Sequence, residues 1–312
     1  MRQRLQDKVK ERPLLGDGAM GTELMIAGLE QGNCGEAWNL TQPERVLAIQ
    51  RRYAEAGSDC IITNTFGGSR IMLNRHGHAD DVAGINRAGV EIARAAFGGR
   101  DGWVLGDIGP FGGLMEPYGD FTEDEVRRAF TEQARALVEA GADAIIVETQ
   151  TSLEELFLAV TASKEAGAVC IIGSMAYDVT LDGSTFRTMM GIDPERAAEF
   201  MVEHGVDIVA LNCGTRMDME RARHAVERYK RTTGLPVMAQ PNAGQPKLVD
   251  MKVIYDETPE EMVKGVVPLL ESGVDIIGGC CGSTPRHIRA FRDAMDRHFT
   301  QHGLGRPTKA GA

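Results

Sequence analysis

Short apolar runs alternate with longer amphipathic stretches along the whole chain. Four of the runs open with the same Gly-x-Asp step into branched apolar residues: Gly57-Ser58-Asp59-Cys60-Ile61-Ile62, Gly141-Ala142-Asp143-Ala144-Ile145-Ile146, Gly205-Val206-Asp207-Ile208-Val209-Ala210 and Gly273-Val274-Asp275-Ile276-Ile277. A helix-like stretch precedes each one. The glycine therefore reads as the left-handed residue that ends a helix, and the apolar run as a buried parallel strand. Four further runs lie between these, at Leu14 to Asp17, Trp103 to Gly109, Val169 to Met175 and Pro236 to Asn242. Eight strands separated by helical stretches, in 312 residues, predict an α/β chain of the (β/α)8 or TIM-barrel class. The barrel is expected to be a single domain over residues 1–300, followed by a flexible, polar tail over 301–312. An open doubly wound sheet is the alternative, because periodicity does not show closure.

Helix starts fix the same register. Thr122 with Glu125, Ser152 with Glu155 and Thr258 with Glu261 have capping-box spacing, Asp193-Pro194 places an N-cap before a proline at the first helical position, and Ser283-Thr284-Pro285 opens the last helix. The longest loops, Gly109 to Phe121, Met175 to Ile192 and Ala243 to Thr258, follow strands three, five and seven on one face, where lids would lie.

Composition narrows the function. With 43% hydrophobic and 25% charged residues the chain is ordinary for a globular protein, and its size lets one core form without disulfides. A net charge of −11 argues against a nucleic-acid partner and favours a small molecule. The first residues carry charges with no apolar segment behind them, and no 18 apolar residues run together, so neither a signal peptide nor a membrane span is expected. Six cysteines, two of them adjacent, fit a reducing, cytoplasmic compartment.

On a barrel, chemistry belongs at the C-terminal strand ends. Polar or thiol side chains stand at these ends: Asp17, Asn64, Asp107, Glu148, Asn212 with Cys213, Asn242, and Cys280 with Cys281. Several acids at neighbouring strand ends repel one another unless a cation or hydrogen-bond donors sit between them, which makes a substrate amine attractive. Glu148 could equally be a salt-bridge partner at the barrel mouth, and Asp107 a cap for the loop after it. Cys213 ends strand six, and Cys280 and Cys281 end strand eight, so three soft ligands converge as a catalytic zinc requires. Adjacent residues of a strand face opposite ways; Gly278, Gly279 and Gly282 permit the bend that lets both cysteines ligate. Cys60 and Cys170 sit inside apolar runs and read as core, Cys34 as loop, and His76 and His78 as surface.

Gly16-Asp17-Gly18-Ala19-Met20-Gly21 matches the G-x-G-x-x-G dinucleotide fingerprint, but no apolar strand leads into the acid at Gly35-Glu36-Ala37-Trp38 about 20 residues on. Amides approaching a small anion, such as a substrate carboxylate, are a better use of these glycines.

Together, Asp17-Gly18-Ala19-Met20-Gly21-Thr22-Glu23, Thr63-Asn64-Thr65-Phe66-Gly67, Gly106-Asp107-Ile108-Gly109-Pro110, Glu148-Thr149, Leu211-Asn212-Cys213, Pro241-Asn242-Ala243-Gly244 and Gly278-Gly279-Cys280-Cys281-Gly282 resemble the homocysteine S-methyltransferase family. The likeness is to the homocysteine-binding module of cobalamin-dependent methionine synthase, and it spans about Leu14 to Phe299 in order. It implies a (β/α)8 barrel in which Cys213, Cys280 and Cys281 hold Zn2+ and the homocysteine thiolate is the fourth ligand. It further implies that Glu148 and the loop containing Asp17, Gly18, Ala19 and Gly21 receive the amino-acid head group, with Asn64 and Asp107 lining the pocket. The chain carries no Asp-x-His-x-x-Gly cobalamin motif, so the methyl donor is expected in trans, either a corrinoid protein or a small donor such as S-methylmethionine or betaine. Alternatives are another acceptor thiol, a demethylation role in one-carbon metabolism, or a catalytically silent zinc-holding partner subunit.

Overall fold

In the computed structural model, which describes residues 3–249 and 252–303, all eight apolar runs are parallel strands. They are β1 (Leu14–Leu15), β2 (Cys60–Ile62), β3 (Trp103–Ile108), β4 (Ala144–Gln150), β5 (Ile171–Met175), β6 (Ile208–Asn212), β7 (Val237–Gln240) and β8 (Ile276–Ile277). The sheet order is β1-β8-β7-β6-β5-β4-β3-β2, and β8 pairs back onto β1 through Leu14↔Ile276 and Leu15↔Ile277. A sequential order with first and last strands paired is a barrel and not a doubly wound sheet.

The repeated Gly-x-Asp step has a structural cause at both of its fixed positions. Gly57, Gly141, Gly205 and Gly273 all have positive φ, between 62° and 109°, and each closes the preceding helix as the sequence predicts. The aspartate then brackets the strand before it. Asp59 donates its N–H to the Leu15 carbonyl (2.7 Å) while its carboxylate accepts the Leu15 N–H (2.9 Å). Asp143 does the same to Val104, Asp207 to Ile171 and Asp275 to Val237, with carboxylate distances of 2.7, 2.8 and 2.7 Å. Even-numbered strands thus clamp odd-numbered ones at the N-terminal end of the barrel. The Asp59 clamp matters most, because β1 and β2 share no strand ladder and the seam is held by Asp59 together with Asp17, whose carboxylate accepts the Ile62 N–H at 2.9 Å.

Alternating residues fill the barrel interior. Leu14, Cys60, Trp103, Leu105, Ala144, Ile146, Cys170, Ile172, Ile208, Ala210, Met238 and Ile276 form one buried cluster, closed from below by Leu5 and Val9 of the N-terminal segment. A larger apolar layer lies between the strands and the surrounding helices. Cys60 and Cys170 are therefore core residues as predicted, and His76 is exposed.

The helix starts stand where the sequence places them, with one difference. Thr122 with Glu125 and Thr258 with Glu261 are reciprocal capping boxes, and Asp193 caps the helix begun by Pro194. Ser152 accepts the Glu155 N–H, but Glu155 does not return the bond: its buried carboxylate instead accepts the Phe111 N–H at 2.7 Å, pinning the loop after β3. Two of the three long loops fold into hairpins, Asp178–Val179 with Phe186–Arg187 and Pro246–Val249 with Lys252–Tyr255. The last helix runs Pro285–Gln301, so the expected tail begins inside it, and residues 304–312 lie outside the described residues. Among the described residues no helix is long and apolar enough to cross a membrane.

Candidate active site

The inward alternation that fills the barrel floor with apolar side chains continues upward and turns polar at one level. Two residues beyond Leu105, Ile146, Ile172, Ala210 and Met238 stand Asp107, Glu148, Ser174, Asn212 and Gln240. Above them opens a cavity of about 580 Å³ lined by residues that include Asp17, Asn64, Asp107, Glu148, Cys213, Cys280 and Cys281. Every residue that the sequence nominates for substrate or metal thus faces one space.

Glu148 reaches it through a bulge. The β4–β5 register shifts between Val147 and Gln150, and Thr149 takes a left-handed φ of 58°, a costly conformation for a β-branched residue. Asn212 holds the bulge: its Oδ1 accepts the Thr149 N–H (3.0 Å) and the Ser174 hydroxyl (2.7 Å), and its Nδ2 donates to Thr149 Oγ1 (2.7 Å). The carboxyl groups of Glu148 and Asp107 are close neighbours in this lining. Burial raises the pKa of both, and the neighbouring carboxylate raises Asp107 further. Burial also lifts Asp17 to about 8 despite its bond from the Ile62 N–H. One oxygen of Asp17, one of Asp107 and the side-chain carbonyl of Gln240 are buried with no hydrogen-bond partner. Unsatisfied acceptors on this scale call for a donor, and a cationic one satisfies the acids best.

The thiols gather in the same lining. Cys213 directly follows β6 with a left-handed φ of 55°. β8 ends at Ile277, so Cys280 and Cys281 lie beyond the strand and escape its alternation. Their backbones are stitched to the end of β7, through Cys280 N–H to the Pro241 carbonyl (2.8 Å) and Ala243 N–H to the Cys281 carbonyl (2.9 Å). Of the flanking glycines, Gly282 supplies the left-handed turn (φ 80°), while Gly279 is confined because a Cβ there would stand 2.4 Å from Ser283 Oγ. The three sulfurs lie within 4.8 Å of one another, with Cys213 and Cys281 3.8 Å apart. Sulfhydryl donation from Cys213 and Cys280 holds Cys281 well below the usual thiol range, and the same contacts push Cys280 up. Three thiolates this close need a cation among them, and an all-sulfur set of three suits a soft, tetrahedral ion with one position left open.

The glycine loop serves packing and the cavity at different positions. A Cβ on Gly18 would stand 2.8 Å from Ser283 Oγ and from the Tyr53 ring, so this glycine is needed for close packing. The Ala19 N–H is engaged by Ser283 Oγ (3.1 Å). Gly21 has open space in place of a side chain, and the helix Met20–Ile26 that it begins has no side-chain cap, which leaves first-turn amides available beside the cavity. Only this short helix follows the loop, and Trp38–Thr41 is helical, so the strand required by the dinucleotide reading is absent. Asn64 lines the cavity but spends its amide on the Gly35 carbonyl and Asn39, making it a scaffold for the rim.

Gln240, Tyr255 and Glu36 line the cavity without having been singled out as site residues. Glu36 accepts the Gly67 N–H at 2.7 Å and fixes the loop that carries Phe66. Gln240 was within reach of the alternation along β7. Tyr255 carried no local signal, since its place depends on the hairpin after β7.

Fold and site define a (β/α)8 barrel with a three-cysteine centre and a carboxylate-lined pocket at its C-terminal mouth. Residues 14–295 match the family model for homocysteine S-methyltransferase, and the chain belongs to that family. It is 35% identical over 305 residues to methionine synthase of Mycobacterium tuberculosis and 33% identical over 307 residues to that of Mycobacterium leprae. These alignments cover 93% and 94% of this chain, which spans about a quarter of the length of either relative. The fold is similar to that of the homocysteine methyltransferase MmuM from Escherichia coli in its metallated form, with a TM-score of 0.76, 21% identity, and coverage of 93% of this chain and 99% of that one.

Proposed function

We propose that this chain transfers a methyl group to the thiolate of homocysteine, giving methionine, with Zn2+ held by Cys213, Cys280 and Cys281 and the donor arriving in trans. The observation that carries this reading is the sharing of one cavity by the clustered thiols and the carboxyl groups of Asp17, Asp107 and Glu148. An α-amino-acid thiol presents the complementary pair, a sulfur for one part of the lining and an ammonium for the other.

Cys213, Cys280 and Cys281 would hold the zinc, which would supply the Lewis acidity that keeps a thiol deprotonated and nucleophilic at neutral pH. The protein's own groups then set position and selectivity. Glu148, beside Asp107 and carried by the bulge, accepts from the substrate ammonium, which in turn stabilises the ionised acids. First-turn amides at Met20 and Gly21 face the substrate carboxylate, favoured there by the helix end. With the head group fixed, the sulfur lone pair forms the new S–CH3 bond as the donor's bond to methyl breaks and its electron pair leaves with the donor. Similarity to a quarter of methionine synthase favours a methyl-corrinoid protein as that donor. A thiol-dependent centre of this kind suits the reducing cytoplasm, and all six cysteines are free.

The test is to incubate zinc-loaded protein with homocysteine and, separately, a methylated corrinoid protein, S-methylmethionine and betaine, and to quantify methionine by mass spectrometry. Formation with the corrinoid protein is expected. No methionine with any donor would overturn the proposal.

A further inference from the structure

Acidic residues outnumber basic ones in this chain, 45 to 34, yet one groove on the barrel flank runs against that balance. Between the helices Val82–Ala96 and Glu123–Glu139 lies a cavity of about 400 Å³ whose charged lining is Arg87, Arg127, Arg128 and Arg135 against Glu132 and Glu139. The glutamates do not balance the arginines. Glu132 is taken by Arg70, which grips both of its oxygens at 2.6 and 2.8 Å. Arg127 reaches Asp124 at 3.5 Å, whereas Arg87, Arg128 and Arg135 are exposed and make no ion pair among the described residues. Like charges held together on two packed helices repel one another and attract an anionic surface.

The groove is continuous with the barrel mouth. Glu123–Glu139 begins directly after the loop that follows β3, and that loop is tied to the rim of the active-site cavity by the Gly109 N–H to the Phe66 carbonyl (3.0 Å). The Arg75 guanidinium donates to the Gly112 carbonyl of the same loop. Within it Leu114 and Tyr118 are exposed, Tyr118 to 86%. An exposed tyrosine that leads into several arginines matches protein interfaces, where these two residue types are enriched. From Thr122 to Arg135 the chain rises roughly 20 Å along the helix, which a small methyl donor cannot span and a protein can. The groove carries no aromatic ring to stack a base, and its two carboxylates disfavour a phosphate backbone.

We infer that the arginine groove, together with residues 114–118, is the docking surface for an acidic face of the protein that delivers the methyl group. This rests on the proposed function in its form with a protein-borne donor.

The test is calorimetric binding of a methylated corrinoid protein to the wild-type chain, to Arg128→Glu/Arg135→Glu and to Arg231→Glu/Arg297→Glu. The last pair is exposed, lies on the helices after β6 and β8, and changes net charge equally. The groove variant should bind roughly tenfold more weakly, and the control should bind as wild type does. Tyr118→Ala should also weaken binding, without any change of charge. Raising salt from about 50 to about 300 mM should weaken wild-type binding and leave the groove variant little changed. No binding by the wild type, or equal loss in the two charge variants, would overturn the inference, as would capture of a short DNA duplex in place of the corrinoid protein. Methionine formation from homocysteine and the free methyl corrinoid should be the same in all variants, because none of these residues lines the active-site cavity. Failure of that reaction in the wild type would count against the methyltransferase reading, whereas failure of docking would count against this surface.

Discussion

Asp59 grips Leu15 twice, donating from its own N–H to the Leu15 carbonyl and accepting the Leu15 N–H on its carboxylate. Arg292, only 2% exposed, stands 3.1 Å from the same carboxylate oxygen. Removing Asp59 therefore leaves a strand amide unpaired and takes one of two carboxylates from the buried Arg292, which keeps Asp296 at 3.0 Å. Asp59→Ala should lose about 2–3 kcal/mol of stability in urea denaturation, the scale for losing hydrogen bonds to a charged group. Asp207 makes the equivalent bracket without an ion pair among the described residues, and Asp207→Ala should lose only about 1–2 kcal/mol. Equal losses in the two variants would show that the ion pair adds nothing at the seam.

Metal content separates the clustered thiols from the core ones. Cys213→Ala should lose most of its zinc by elemental analysis of the reduced protein. Cys60→Ala, altered inside the barrel floor, should keep it.

Head-group recognition is read by calorimetry on Glu148→Gln. Loss of a charged hydrogen bond should weaken homocysteine binding by about 1.5–3 kcal/mol with zinc retained. Unchanged affinity would leave Glu148 a structural residue of the barrel mouth.

The buried acids also set a pH dependence opposite to that of most carboxylates. Asp17, at about 8 in the folded chain, holds a proton that the unfolded chain releases near pH 4, and Asp107 and Glu148 are raised in the same direction. Between these limits the native state binds more protons, so unfolding free energy falls as pH rises from about 4 to about 8. Substrate-free protein should thus melt at a lower temperature at pH 8 than at pH 5.5, and Asp17→Asn should flatten the slope. A melting temperature that rises over this interval would contradict the placement of these acids.

Much of the architecture was legible because it is written in short-range rules. The four Gly-x-Asp steps announced helix stops and buried strands, and both fixed residues proved to have local geometric reasons. The strand ends named most of the site, since inward alternation carries Leu105 to Asp107 and Ile146 to Glu148 without any knowledge of the tertiary fold. What stayed hidden depended on contacts between distant segments. Glu155 has capping-box spacing with Ser152, yet its carboxylate is captured by Phe111 across a neighbouring loop. Gly18 belongs to a loop that suggests ligand approach, but the groups nearest to it are Tyr53 and Ser283, the latter 265 positions away. Tyr255 comes to line the cavity with the cysteines only because a loop without periodic pattern folds into a hairpin.

Asn212 joins two halves of the site that the sequence presents separately. It is the residue before Cys213, and it holds the Thr149 bulge that aims Glu148 by bonding both to the Thr149 N–H and to its hydroxyl. The backbone leading into Cys213 and the bulge that carries Glu148 are therefore mechanically one piece. On the proposed function, a grip on the substrate ammonium and a metal at the thiols would meet through this one side chain, and by thermodynamic reciprocity any change that one makes in the affinity of the other would be returned by the same factor.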